Sequence, residues 1–206
     1  MRCRALLFDL DGVLVDSLGA VEQIIRSWAA TRGVDADAMI RTSLGRRTSE
    51  TLRAVAPHLD IDAEVAVLDA MEERWTEGIR ATPGARELVG QLQPDQWGIV
   101  TSGSRAVATQ RLTVSGIPIP RVFVTGDEVD RGKPDPECYL RGASQLGIPP
   151  AEALVLEDAP IGIAAARAAG MRVVGIAAKD ADIVVSDLSG LRVALRSDGW
   201  IEVDAN

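Results

Sequence analysis

The chain has 206 residues, 47% hydrophobic and 25% charged, enough to bury a substantial core as one domain carrying a modest insertion. A formal net charge of −8 opposes nucleic acid and anionic membrane as partners, and leaves any phosphorylated ligand to locally focused positive charge in a pocket. No apolar stretch reaches membrane-spanning length, and residues 1–10 are too short and end too acidic for a signal peptide, so a cytoplasmic location is expected.

The first element is the apolar run Leu6-Leu7-Phe8, which continues into Asp9-Leu10-Asp11-Gly12. It reads as a buried strand whose alternation puts Asp9 and Asp11 on the same side. Two like charges there need a counterion. A hard divalent cation bound by carboxylate and carbonyl oxygens supplies one, and Mg2+ is the usual choice where a substrate phosphate completes the shell. The competing reading is a strand that runs into an acidic turn, with Gly12 providing the reversal.

Four helical patterns follow without a convincing strand. The first, over 18–31, gathers Val21, Ile24, Ile25, Trp28 and Ala29 on one face and stops at Gly33. A later one begins near Asp62 and carries Val65, Leu68, Met71 and Trp75 in one stripe. Between them Leu44-Gly45-Arg46-Arg47-Thr48 breaks the pattern before a short helix from about Ser49, and Ala81-Thr82-Pro83-Gly84 reads as a hinge. His58, the only histidine, stands beside Pro57 and reads as a surface residue. Cys3 and Cys138 have neither the number nor the spacing of a disulfide framework or a zinc site.

Strand and helix alternate from about Thr82. A strand over 97–101 ends in Thr101-Ser102-Gly103-Ser104, which offers hydroxyls and free N–H groups where a helix opens. After that helix and a strand at 122–125, Gly132-Lys133-Pro134-Asp135-Pro136 fixes the backbone around a single lysine, just ahead of a helix beginning near Glu137. The next strand, 154–157, ends in Glu157-Asp158; a helix through 161–170 and strands at 172–176 and 183–185 complete a parallel, doubly wound core, with 196–206 left unassigned. Taken singly, these segments read as a helix cap, a rigid turn and a solvated acidic loop. Together they fall beyond the carboxyl ends of the strands, where such sheets bind ligands.

Through these segments the chain resembles the haloacid dehalogenase superfamily of phosphotransferases over nearly its whole length. Asp9-Leu10-Asp11-Gly12 is similar to its first motif, Ser102 to its hydroxyl motif, Lys133 to its lysine motif and Glu157-Asp158 to its acidic motif. Thr101 and Ser102 can each be set against the hydroxyl; Ser102 is preferred because Gly103 follows it as the helix opens. The spans 97–105, 132–139 and 157–170 are similar to the small sugar- and polyol-phosphate phosphatases of that superfamily, including glycerol-phosphate phosphatases. The resemblance implies an α/β core over 1–15 and 82–206 with an inserted helical cap over 16–81. The expected reaction is Mg2+-dependent hydrolysis of a small phosphomonoester, a phosphorylated metabolite, through an aspartyl-phosphate.

Asp9 is the expected nucleophile and Asp11 the general acid and base. The expected metal set is Asp9, Asp11 (through its carbonyl) and Asp158, with Glu157 orienting metal-bound water from outside the shell. Lys133 and Ser102 would bind phosphoryl oxygens with the N–H groups of Leu10 and Gly103. Arg46 and Arg47 lie in the cap loop facing the site, with Arg47 preferred to Arg46 for substrate contact and a solvated basic turn as the equal competing reading.

Neighbouring activities fit less well. Dehalogenases of the superfamily lack a second aspartate, whereas Asp11 is present. Phosphomutases of the β-phosphoglucomutase type place a histidine where this chain has Val21, and of its lysines, Lys133 and Lys179, neither lies in the cap to form a Schiff base. A signalling receiver domain carries its phosphorylated aspartate on a middle strand and would leave the insertion unexplained.

Overall fold

Six apolar strands set the frame. The computed structural model describes residues 1–205, and Asn206 lies outside them. In chain order β1 (Arg2–Cys3) and β2 (Ala5–Phe8) lead into β3 (Val15–Asp16), which is separated from β4 (Arg80–Ala81) by four helices: α1 (Leu18–Arg32), α2 (Ala36–Ser43), α3 (Thr48–Val55) and α4 (Ile61–Arg74). There follow α5 (Ala85–Val89), β5 (Trp97–Val100), α6 (Arg105–Ser115), β6 (Val122–Val124), α7 (Glu137–Leu146), β7 (Ala153–Glu157), α8 (Pro160–Ala168), β8 (Arg172–Ile176), β9 (Ile183–Val185), β10 (Leu191–Leu195) and β11 (Ile201–Ala205).

The main sheet runs β6-β5-β2-β7-β8-β9, and every adjacent pair in it is parallel. The order reverses at β2, so the carboxyl ends of β2, β5 and β7 bracket the crevice where a doubly wound sheet receives its ligand. Strand alternation sorts the core. Leu6 and Phe8 face one cluster with Ala108 and Leu112 of α6 and Leu88 of α5, while Ala5 and Leu7 face another with Tyr139 and Ala143 of α7 and Ile163 of α8. With both faces covered, all four β2 residues are buried, which is why that strand reads as an unbroken apolar run.

The helical insertion packs around a third cluster, formed by Ile24, Ile25, Trp28, Ala29, Met39, Leu52 and Leu68. Asp35 and Asp60 cap α2 and α4 by accepting from the N–H groups of Ala38 and Ala63. Trp28 Nε1 donates to Glu64 Oε2 at 2.7 Å, fastening α1 to α4. The insertion leaves and rejoins the sheet through the two-residue pair β3–β4, in which Val15 faces Ala81 and Asp16 faces Arg80.

Several elements go beyond the sequence reading, among them the short strands β1, β3 and β4 and the strand β10. Helix α5 is too short to show a period, and the tail left unassigned forms β11, which pairs antiparallel with both β1 and β10 and buries Ile201 and Val203. His58 is exposed, and Cys3 and Cys138 are buried free thiols. No helix among the described residues is long and apolar enough to cross a membrane.

Candidate active site

The N–H of Asp9, the first residue past β2, donates to Leu156 O at 3.0 Å, which seats its carboxyl beside the end of β7. Lys133, from the loop ahead of α7, places Nζ 2.6 Å from Asp9 Oδ1 and 2.6 Å from Glu157 Oε1. The three side chains are almost wholly buried. Glu157 also accepts from Tyr139 Oη at 3.1 Å and from the Ala159 N–H at 2.8 Å, so both its oxygens are engaged within the protein. Burial alone would lower the Lys133 ammonium, but the neighbouring Asp9 and Glu157 charges hold it well above the usual lysine range. Burial pushes the Asp9 carboxyl up, Lys133 pulls against it, and Glu157 and Asp158 add to the rise.

Asp158 lies across the same floor. Gly12 takes φ +81°, and a Cβ on it would stand 2.1 Å from Asp158 Oδ2, so the turn after β2 must be glycine to let the carboxylate in. Burial, with Glu157 adding, pushes the Asp158 carboxyl up to about 7 against the pull of Lys133. Carboxylate oxygens of Asp9, Glu157 and Asp158 lie within 4.8 Å of one another. So many hard oxygen donors, crowded enough to resist ionisation, fit a divalent cation.

Asp11 is held apart from that cluster. Its Oδ1 accepts from Ser17 Oγ, and its Oδ2 from Arg111 Nη1 at 2.6 Å. Arg111, on α6, reaches with Nη2 to Glu72 of α4, so one buried guanidinium joins a sheet-side acid to the helical insertion. Burial pushes the Glu72 carboxyl up to about 7, with Arg111 opposing.

Of the two hydroxyls at the end of β5, Thr101 Oγ1 accepts from the Gly103 N–H at 3.1 Å, while Ser102 Oγ donates to Gly45 O of the insertion at 2.7 Å. A cavity of about 280 Å³ is lined by Asp9, Asp11, Ser102, Gly103 and Asp158 on the sheet side and by residues of α1 to α4 opposite. Arg46 lines it. Arg47, favoured from the sequence, turns away: its guanidinium pairs with Glu50 and donates to Val129 O at 2.9 Å and Asp130 O at 3.1 Å, beside the loop that carries Lys133.

Arg111, Glu72 and Tyr139 were not singled out in the sequence. Arg111 had left a signal, because it shares the buried face of α6 with Val107, Ala108 and Leu112, where an unpaired charge would be costly. Glu72 and Tyr139 left none that separates them from ordinary helix residues.

Comparison with known proteins resolves the family. The profile of the haloacid dehalogenase-like hydrolases matches residues 6–176. The chain belongs to this family. Hexitol phosphatase A of Escherichia coli K12 is 41% identical to this haloacid dehalogenase-like hydrolase, over 97% of this chain and 98% of its own. Glycerol-1-phosphate phosphohydrolase 2 of Saccharomyces cerevisiae is 33% identical, over 94% of this chain and 86% of its own. The crystal structure of a hydrolase from Pseudomonas syringae superposes with a TM-score of 0.80 at 28% identity, covering 91% of this chain and 94% of that one. This haloacid dehalogenase-like hydrolase is therefore an enzyme, with an α/β fold shared by its solved relatives.

Proposed function

We propose that the protein is a Mg2+-dependent phosphatase of small sugar or polyol phosphates. The observation that carries the reading is Asp9, which lines the cavity with its carboxylate beside the buried Lys133 that Glu157 also holds: a candidate nucleophile next to a fixed cation that suits a phosphoryl group. The names of the polyol and sugar-phosphate relatives support the substrate class.

Residues 16–81 serve as a cap over a core made of 1–15 and 82–206. Asp9 attacks phosphorus in line and takes the phosphoryl group as an aspartyl-phosphate, splitting one displacement into two. Asp11 gives a proton to the departing alkoxide and then takes one from the attacking water. Lys133, Ser102 and the N–H groups of Leu10 and Gly103 bind the phosphoryl oxygens. Asp9, Asp158 and the Asp11 carbonyl would hold Mg2+, which supplies charge compensation for the transferring group. Glu157, with both oxygens taken by neighbours in the protein, orients Lys133 and would lie outside the shell of a metal held by Asp9 and Asp158.

The test is a phosphate-release screen with Mg2+ over glycerol phosphates, hexitol phosphates and hexose phosphates, with phosphoglycolate and a nucleotide as contrasts. Turnover concentrated on the polyol and sugar esters, and lost in Asp9→Asn while the fold persists, supports the reading. Asp9→Asn within tenfold of the unmodified protein, after a control for deamidation, overturns Asp9 as nucleophile.

A further inference from the structure

The cavity above Asp9 extends beyond what a phosphoryl group needs, and its outer wall is built from an unusual pair. Glu72 of α4 and Arg111 of α6 both line it, with side chains 14% and 6% exposed. We propose that this pair selects the leaving group: it accepts an uncharged, hydroxyl-bearing one and turns away one that carries a second phosphate or carboxylate. The inference rests on the phosphatase reading and names the substrate class within it.

Charge is the first argument. The Arg111 guanidinium sits between two carboxylates, Asp11 on Nη1 and Glu72 on Nη2, so its positive charge is spent within the protein and cannot receive an anion. Arg46 also lines the cavity but is exposed, where water screens it, and Glu22 lines it as well. Among the described residues, Arg46 and Arg111 are the only cations in the lining, which therefore offers no uncompensated buried cation. A second anionic group would meet Glu72 and Asp11 at close range in a site of low dielectric.

Hydrogen-bonding capacity is the second argument. Glu72 Oε2 is taken by Arg111, while Oε1 accepts no hydrogen bond among the described residues. Arg111 uses one N–H on each terminal nitrogen and retains others from its five donors. Adjacent acceptor and donor sites of this kind match the alternating donors and acceptors of neighbouring hydroxyls on a polyol. Leu18, Val21, Ile25 and Leu68, which also line the cavity, offer the carbon chain an apolar surface.

The experiment measures kcat/KM at about pH 8 for a hexitol 6-phosphate and a hexose 1,6-bisphosphate, in the unmodified protein and in Glu72→Gln. Binding of both ligands to Asp9→Asn, with and without Glu72→Gln, is measured in parallel by calorimetry. The unmodified protein is expected to favour the monophosphate by about 100-fold or more, and Glu72→Gln to shrink that ratio by about tenfold, chiefly through KM. Equal treatment of the two esters by the unmodified protein overturns the proposal, as does a Glu72→Gln variant that loses both activities by one factor, since that is the mark of a simple latch. If Glu72→Gln fails to fold, Glu72→Asp keeps the charge in a shorter side chain and must retain the preference. If no ester is hydrolysed the phosphatase reading falls, and the two affinities for Asp9→Asn still decide the role of the wall.

Discussion

A Cβ on Gly162 would stand 1.6 Å from Glu157 Oε1, so the first turn of α8 closes on a carboxylate that leaves no room for a methyl group. Gly162 does not line the cavity, yet Glu157 is one of the two carboxylates that hold Lys133 in place. Gly162→Ala is therefore expected to dislodge Glu157 and lower kcat by about 10²-fold, the size of loss seen when a single phosphoryl-stabilising donor is misplaced. Steady-state kinetics beside circular dichroism check this; a folded variant with unimpaired turnover would show that Lys133 does not depend on Glu157.

Lys133→Ala leaves two buried carboxylates facing one another without a cation. Removing one partner of a buried pair typically costs about 3–5 kcal/mol, so denaturant titration of metal-free protein should show a clear loss of stability together with lost turnover. The loss of kcat/KM should be alike for every phosphomonoester, because all present the same phosphoryl oxygens. A loss confined to one ester would move Lys133 from the phosphate to the leaving group.

Asp158 gives a pH dependence with a defined sign. Its carboxyl is pushed from an ordinary 3.8 to about 7, so between those values the folded protein keeps a proton that the unfolded chain has released. The contribution of this group to stability therefore falls as pH rises through that window, and a cation bound to the ionised form offsets the loss above it. The Tm of chelated protein should drop more between about pH 5 and pH 8 than that of Asp158→Asn, and added Mg2+ should raise the Tm more at the higher pH. Equal pH slopes would remove Asp158 as the source.

EDTA is expected to abolish hydrolysis, Mg2+ to restore it, and Ca2+ to inhibit, because its larger and looser shell disturbs in-line geometry. Full activity in chelator would take Asp9 and Asp158 out of a metal site.

The two neighbouring arginines should behave differently. Arg46→Ala changes a residue that lines the cavity and should alter the ranking of substrates. Arg47→Ala cuts the ties to Val129 O and Asp130 O and should lower kcat for all of them alike. The same panel of esters separates the two outcomes; a changed ranking in Arg47→Ala alone would return substrate choice to that residue.

Much of this site could be read in the chain because its parts are short-range. Asp9 and Asp11 sit at the end of an apolar run of the kind a doubly covered strand shows, and Lys133 lies between Gly132 and Pro134, which announce a rigid loop. Arg111 and Glu72 meet across 39 residues, and only the packing of α4 on α6 brings them together. The Arg46–Arg47 pair shows a different limit, since which of two adjacent side chains turns inward depends on how α3 begins. With Arg47 at the N-cap of α3, its guanidinium swings toward the Lys133 loop and Arg46 is left facing the cavity. The segment 196–206 shows too little contrast for a strand period, and its pairing with β1 joins residues about two hundred positions apart.

Ser102 does not wait for phosphate with an idle hydroxyl, because its proton already belongs to the carbonyl of Gly45. A phosphoryl oxygen that accepts from Ser102 would replace the bond to Gly45 O, so the net gain at this point would be only the difference between a charge-assisted and a neutral hydrogen bond. On the proposed reading, that exchange would loosen the loop between α2 and α3 as the site fills and restore its grip as the site empties. Arrival and departure of phosphate would then be felt by the insertion through a single proton, and weak retention of inorganic phosphate would follow from the same swap, favouring turnover over product inhibition.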